Sequence, residues 1–161
     1  MAKELKNRKD MDPRWQWRLE DIFATEEAYE QAYEQAQADI GKMAAWQGRV
    51  KENPRQAIQD ADRLELQFDH LAAYALMRKD EDSGDPERQA RAAKFQSLAV
   101  KARAATSFLD PELLALPEEE LRAMMNDPDF ADYSESIRLL LLQKPHTLPA
   151  EQESCWLRQA T

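Results

Sequence analysis

Only three glycines, one cysteine and two histidines occur among the 161 residues, and each shortage closes off a class of protein. So little glycine leaves no phosphate-cradling loop and no Gly-x-Ser-x-Gly nucleophile turn. The single cysteine, Cys155, has no partner for an internal disulfide or a Cys-x-x-Cys pair, which fits a reducing compartment. The two histidines, His70 and His146, belong to no His-Glu-x-x-His helix, the pattern that sets two imidazoles and a general base around zinc. Positive charge is short as well. With 22 basic against 31 acidic residues the formal net charge is −9, and no basic stripe is offered to phosphates, so nucleic acid is not an expected partner. Long apolar runs are missing too. The longest, Leu139 to Leu142, is far below the roughly 18 residues of a membrane span, and residues 1–10 lack the apolar centre of a signal peptide. The expected setting is the cytoplasm, away from membranes.

What the chain has in quantity is alanine, glutamate, glutamine and leucine, with few β-branched residues, and summed propensity therefore favours helix. No strand pattern or hairpin turn interrupts it. The expected fold class is all-α, built on a long helical hairpin at about 54–82 and 86–108 with flanking helices.

Residues 1–12 are polar and are expected to form a flexible N-terminus, ahead of a helical domain at 13–148. Trp15, Trp17 and Leu19 alternate with polar residues, which predicts an extended hydrophobic strap; a ligand-stacking site is the alternative. Thr25 reads as an N-cap with Glu26 and Glu27 in the first turn. Tyr29, Tyr33, Ala36, Ile40 and Met43 fall on one face, giving a first helix at about 26–46, stopped by Gly48. Asn53-Pro54-Arg55-Gln56 is a second start signal. Ile58, Ala61, Leu64, Phe68, Leu71, Ala72, Ala75 and Leu76 trace one face beyond it. The return arm starts at Asp85-Pro86 and carries Ala90, Ala93, Leu98, Ala102, Ala105 and Phe108 toward its neighbours. Prolines then cut the chain into short helices at Glu112 to Leu116 and Glu118 to Met125. Another begins at Asp127-Pro128, carries Phe130, Tyr133, Ile137, Leu140 and Leu141, and ends at Lys144-Pro145.

The hairpin corner, Arg78 to Pro86, invites comparison with a calcium loop. Counting from Asp80, positions one and three are acidic. Position five is Gly84, position six Asp85 and position twelve Arg91, whereas Ca²⁺ needs six to eight converging oxygens. The acidic residues are better read as turn residues or as partners for Arg78 and Lys79. Glu118-Glu119-Glu120 follow Pro117, where a helix N-terminus attracts negative charge. His70 reads as a boundary residue. No catalytic, cofactor-binding or metal-ligating residue is assigned.

Four segments then line up in order: Trp17-Arg18-Leu19-Glu20-Asp21-Ile22-Phe23, Met77-Arg78-Lys79-Asp80-Glu81-Asp82, Ser107-Phe108-Leu109-Asp110-Pro111-Glu112-Leu113-Leu114 and Lys144-Pro145-His146-Thr147-Leu148. Together they resemble the N-terminal region of oligoendopeptidase F, of the thimet-oligopeptidase-like zinc metallopeptidases. Arg18 stands where that family commonly has Asp, and Pro149 where it has a capping Ser. The resemblance implies a helical cover over a deep channel, admitting only short peptides. It implies zinc in the full-length enzyme and none in this chain, because the family's His-Glu-x-x-His site lies in a later part. By this reading the chain is a fragment of a zinc metalloendopeptidase, inactive alone, with the missing catalytic half as a further partner. The alternative is a stand-alone helical module that binds a peptide or protein.

Residues 149–161 read as a helix start cut short. Ser154-Cys155-Trp156-Leu157-Arg158-Gln159-Ala160 departs from the family's style. One codon choice for it (AGC TGC TGG CTC AGG CAA GC) gives Leu-Leu-Ala-Gln-Ala in a second frame. A frameshift near residue 153 and a functional fragment are the two readings left open.

Overall fold

The computed structural model describes residues 11–146. The expectations for the tail at 149–161 and for nearly all of 1–12 fall outside them. Every regular element among the described residues is helical, so the chain is all-α. The α-helices are α1 (Glu26–Ala44), α2 (Pro54–Glu81), α3 (Pro86–Thr106), α4 (Leu109–Leu114), α5 (Glu118–Met125) and α6 (Ser134–Gln143), with 3₁₀ turns before α1, between α1 and α2, between α5 and α6, and after α6. They fall into two compact units. One holds Met1–Trp46 with Ala57–Thr106, the other Gln47–Gln56 with Ser107–Thr161.

Helix starts follow local chemistry. The Thr25 hydroxyl accepts from the Ala28 amide at 3.2 Å, satisfying one of the free N–H groups that begin α1. Asn53 does the same for α2, accepting from Gln56 at 3.2 Å with Pro54 in the first position. Asp85 accepts from Glu87 at 2.9 Å to open α3. α1 stops at Ala44, slightly before the expected 46, and Gly48 then takes the left-handed φ of +79° that favours glycine.

In the first unit, cross-helix contacts fix the directions. Trp46 meets Asp60, Asp39 meets Gln67 and Tyr29 meets Tyr74, so α1 runs antiparallel to α2. Glu26 pairs with Arg91 and Glu30 with Lys94, so α1 runs parallel to α3. Phe68 and Phe95 close the hairpin with ring centroids 6.0 Å apart. The core comprises Leu19, Tyr29, Tyr33, Ala36, Leu71, Tyr74, Ala75, Phe95 and Leu98, with Ile22 and Phe23 packed against it. Each large apolar side chain so buried contributes roughly 1.5–3 kcal/mol.

Three expectations need correction. α3 buries Ala92, Phe95, Leu98 and Ala102, whereas Ala90 and Ala93 face solvent. The rotation follows the bulky Phe95, which sets the face that small alanines leave undefined. The strap is not extended. Asp12 accepts from the Arg14 amide at 3.0 Å and starts a 3₁₀ turn at Pro13–Trp15; Trp15 is 76% and Trp17 51% exposed, while Leu19 alone of the three is buried. Finally, Asp110–Pro111 does not delay α4, which begins at Leu109. Pro111 sits in its first turn, where no amide bond is lost.

The second unit gathers Val50, Leu113, Leu116, Leu121, Met124, Phe130, Ile137 and Leu140. Asp127 accepts from the Asp129 amide at 2.8 Å, but the turn it opens is 3₁₀. Phe130, at φ −126° and ψ 21°, breaks it before α6.

Candidate functional site

The corner between α2 and α3 concentrates charge, and nearly all of it has structural work. Asp82 accepts from the Gly84 amide at 3.1 Å, and Asp85 from Glu87, so these carboxylates serve the turn rather than a cation. The Glu81 side chain is wholly buried and accepts from Arg78 at 3.3 Å and Arg88 at 3.2 Å. Arg88 also donates to the Arg78 carbonyl at 3.1 Å. Arg78 reaches Glu20 at 2.9 Å, tying the N-terminal segment to the corner. The pairing expected of Arg78 is thus present, and Lys79 meets Asp80 at 3.3 Å.

Beneath the corner lies an aromatic cluster that sequence reasoning underestimated. Tyr29 and Tyr74 stack with centroids 5.1 Å apart, and Phe23 meets both edge-on at 5.6 and 5.5 Å. Arg78 lies 5.2 Å from the Tyr74 ring and Arg91 5.8 Å from the Tyr29 ring, within range of a cation–π attraction. Burial pushes the Tyr29 phenol well above its ordinary range. Burial opposes the charge on Arg78, but Tyr74, Glu20 and Glu81 outweigh it. The tyrosine stripe of α1 is therefore core, and its unpredicted partner is Tyr74. The four-residue step from Tyr74 to Arg78 is the signal that could have located it.

A cavity of about 340 Å³ opens in the same unit between α1 and α2. Its floor is Met43 and Leu64, both buried. One end is closed by Gln67 donating to Asp39 at 3.1 Å. The other is closed by the Trp46 indole N–H donating to Asp60 at 3.0 Å. Burial works against the Asp39 charge, yet hydrogen bonds from Lys42, Gln35 and Gln67 hold its carboxyl below the ordinary range. Lys42 and Arg63 stand at the rim with side chains 73% and 66% exposed. The Gln67 amide nitrogen is turned to Asp39, so its oxygen is left buried with no hydrogen-bond partner.

In the second unit polar side chains serve as clamps. Glu112 accepts from the amides of Gly48 at 2.6 Å and Val50 at 3.2 Å. Lys144 donates to the carbonyls of Leu114 and Leu116, the latter at 2.6 Å, where α4 ends. Arg55 pairs with Asp127 at 2.6 Å and lies 5.1 Å from the Phe130 ring. The Asp129 amide and then Arg55 hold the Asp127 carboxyl below its ordinary range.

His70 and His146 are both exposed and belong to different units, and Glu118 is taken up by Arg122 at 2.6 Å. Cys155 lies outside the described residues. Zinc, which the resemblance implies for the full-length enzyme, does not fit here: among the described residues no group of three or more His, Cys, Asp or Glu could hold a metal ion. No helix among them is long and apolar enough to cross a membrane.

The family model described as Oligopeptidase F matches residues 112–156. The chain is 28% identical to "Oligopeptidase PepF" of Bacillus subtilis (strain 168), over 99% of this chain and 24% of that protein. It is 27% identical to "Group B oligopeptidase PepB" of Streptococcus agalactiae, over 91% of this chain and 25% of that protein. Among solved structures, a putative peptidase from Chlamydophila abortus shares the fold with a TM-score of 0.77 and 17% identity, over 97% of this chain and 27% of that one. The chain thus spans about a quarter of the length of these curated relatives.

Proposed function

We propose that this chain, similar as it is to the N-terminal region of oligoendopeptidase F, supplies the non-catalytic helical part of a peptidase of that kind. The observation that carries this reading is the extent of the match: nearly the whole chain aligns with about a quarter of PepF. The part at 13–148 would act as one N-terminal helical domain and form part of the cover of a substrate channel. Its contribution would be steric, since a narrow helical enclosure admits a short unfolded peptide and rejects a folded protein. Hydrolysis by a zinc-activated water belongs to the rest of such an enzyme. The charged side chains support a scaffold role, because Glu81, Glu112, Asp127 and Lys144 are all engaged in helix caps or ion pairs.

A chimera tests the proposal. In it the matching quarter of Bacillus subtilis PepF is replaced by this chain. It is expected to cleave quenched fluorescent peptides of up to about ten residues in a chelator-sensitive way and to leave a folded protein intact, as expected of a site that encloses its ligand. Neither this chain alone nor PepF without its matching quarter should do so. A chimera that folds but cleaves nothing would refute the assignment, as would chelator-sensitive cleavage by this chain alone. Attack on folded protein would refute the gating role.

A further inference from the structure

Side chains hold the N-terminal segment at 11–24 to the first unit. Its backbone bonds stay local: the Trp15 amide donates to Asp12, that of Asp21 to Arg18, and those of Ile22 and Phe23 to Leu19. Leu19 is buried in the core, Ile22 and Phe23 pack against it, and Glu20 accepts from Arg78. The helical residues that the segment touches share a defect. Phe23 lies edge-on to Tyr29 and Tyr74, and Glu20 is on Arg78. Tyr29 Oη, Tyr74 Oη and Arg78 Nε are each buried with no hydrogen-bond partner. Such atoms raise the free energy of the closed state, and water relieves them once the cover lifts. Lifting the segment therefore returns part of what undocking Leu19, Ile22 and Phe23 costs.

We infer that residues 11–24 are a detachable latch, and that the site they leave at Tyr29, Tyr74 and Arg78 takes the same segment from a second copy of this chain. The resident segment shows what fits. Leu19 enters the core, the carboxylate next to it meets Arg78, and the ring four residues on meets both tyrosines. Ala24, which is exposed, is the joint between the latch and the Thr25 cap of α1. Tethered beside its site, the resident copy acts at an effective concentration on the order of millimolar, so it excludes a free copy until its own hold is weakened. Every contact lies within the first unit, so the inference stands apart from the peptidase reading.

The probe is a fluorescein-labelled peptide of residues 12–24, titrated against the full chain by fluorescence anisotropy. The unaltered chain is expected to bind it weakly. Phe23→Ala in the chain loosens the resident latch and should tighten peptide binding about tenfold, by raising the fraction of open sites. Phe23→Ala in the peptide should weaken binding to that same chain about tenfold, because the ring contacts are lost in trans. One substitution thus acts in opposite directions in the chain and in the peptide, which a merely structural role for Phe23 would not produce. Glu20→Gln removes the pair with Arg78 at a side chain 59% exposed and should show the same reversal at about threefold. It decides the matter if circular dichroism shows that the Phe23→Ala chain does not fold. Binding that the substitution in the chain fails to tighten, or that the substitution in the peptide fails to weaken, would overturn the inference.

Discussion

The two units solve the same problem, keeping helices together, by different means. The first has helices of 19, 28 and 21 residues, whose peptide groups mostly bond within the helix, so side chains are free to build an apolar and aromatic core. In the second, α4 has six residues, α5 eight and α6 ten. A helix leaves about four N–H and four C=O groups unpaired at its ends. For α4 that is most of its peptide groups. Lys144 is the remedy at the end of α4, donating to the carbonyls of Leu114 and Leu116, while Glu112, itself on α4, accepts from the amides of Gly48 and Val50 and ties α4 to that turn. Short helices therefore convert polar side chains into structure, and a carboxylate or ammonium in such a region is weak evidence of chemistry.

That contrast can be broken by experiment. The largest effect is expected from Tyr74→Ala, which removes a fully buried ring from the stack with Tyr29 and should cost about 3–5 kcal/mol. Urea titration followed by circular dichroism reads it; a loss under about 1 kcal/mol would mean the aromatic core does not hold the first unit. Next comes Lys144→Met. It keeps the aliphatic stem but leaves two carbonyls without their donor, at about 1–3 kcal/mol. Peptide-resolved hydrogen exchange should show the opening in α4 and α6, and unchanged protection there would dismiss the clamp. A loss as large as that of Tyr74→Ala would erase the distinction between the units. Smallest is Trp15→Ala, within about 0.5 kcal/mol, since an exposed side chain has little packing to lose. A larger penalty would restore the hydrophobic strap that the sequence suggests.

Much of the fold was legible because helix starts are written locally. Thr25, Asn53-Pro54 and Asp85-Pro86 carry their signals within four residues, and all three helices begin there. The face of α3 was not. Alanine is small enough to sit on either side of a helix, so Ala90 and Ala93 could not set its rotation; the packing of Phe95 did. Two tryptophans and a leucine in alternation were too short a pattern to outweigh the turn that Asp12 starts. At Asp127-Pro128 the start was correct but the helix type was not, since the cap specifies an entrance and not the pitch that follows.

The groove was invisible in sequence for a different reason. Asp39 and Gln67 lie 28 positions apart and Trp46 and Asp60 lie 14 apart, and each residue taken alone looks like an ordinary exposed helix position. Only the antiparallel register of α1 and α2 brings them together. The four segments that carry the likeness to oligoendopeptidase F also gain a physical explanation. The first three supply Leu19 and Glu20, Arg78 and Glu81, and Glu112, and the fourth supplies Lys144. Within the described residues each places a side chain that joins elements distant in sequence. Thr147 and Leu148, which complete the fourth segment, lie outside those residues.

The clamp at Lys144 also sorts the lysines by reactivity. An amine-directed acylating reagent must reach the nitrogen, and Lys42 and Lys94, each held by a single carboxylate, keep side chains 73% and 52% exposed. Lys144 must first release the carbonyls of Leu114 and Leu116, so it should be the slower to label. Once acylated it could not regain both bonds, because an amide keeps only one N–H donor and loses the charge. Acylation at that one nitrogen would act as a covalent wedge at the end of α4.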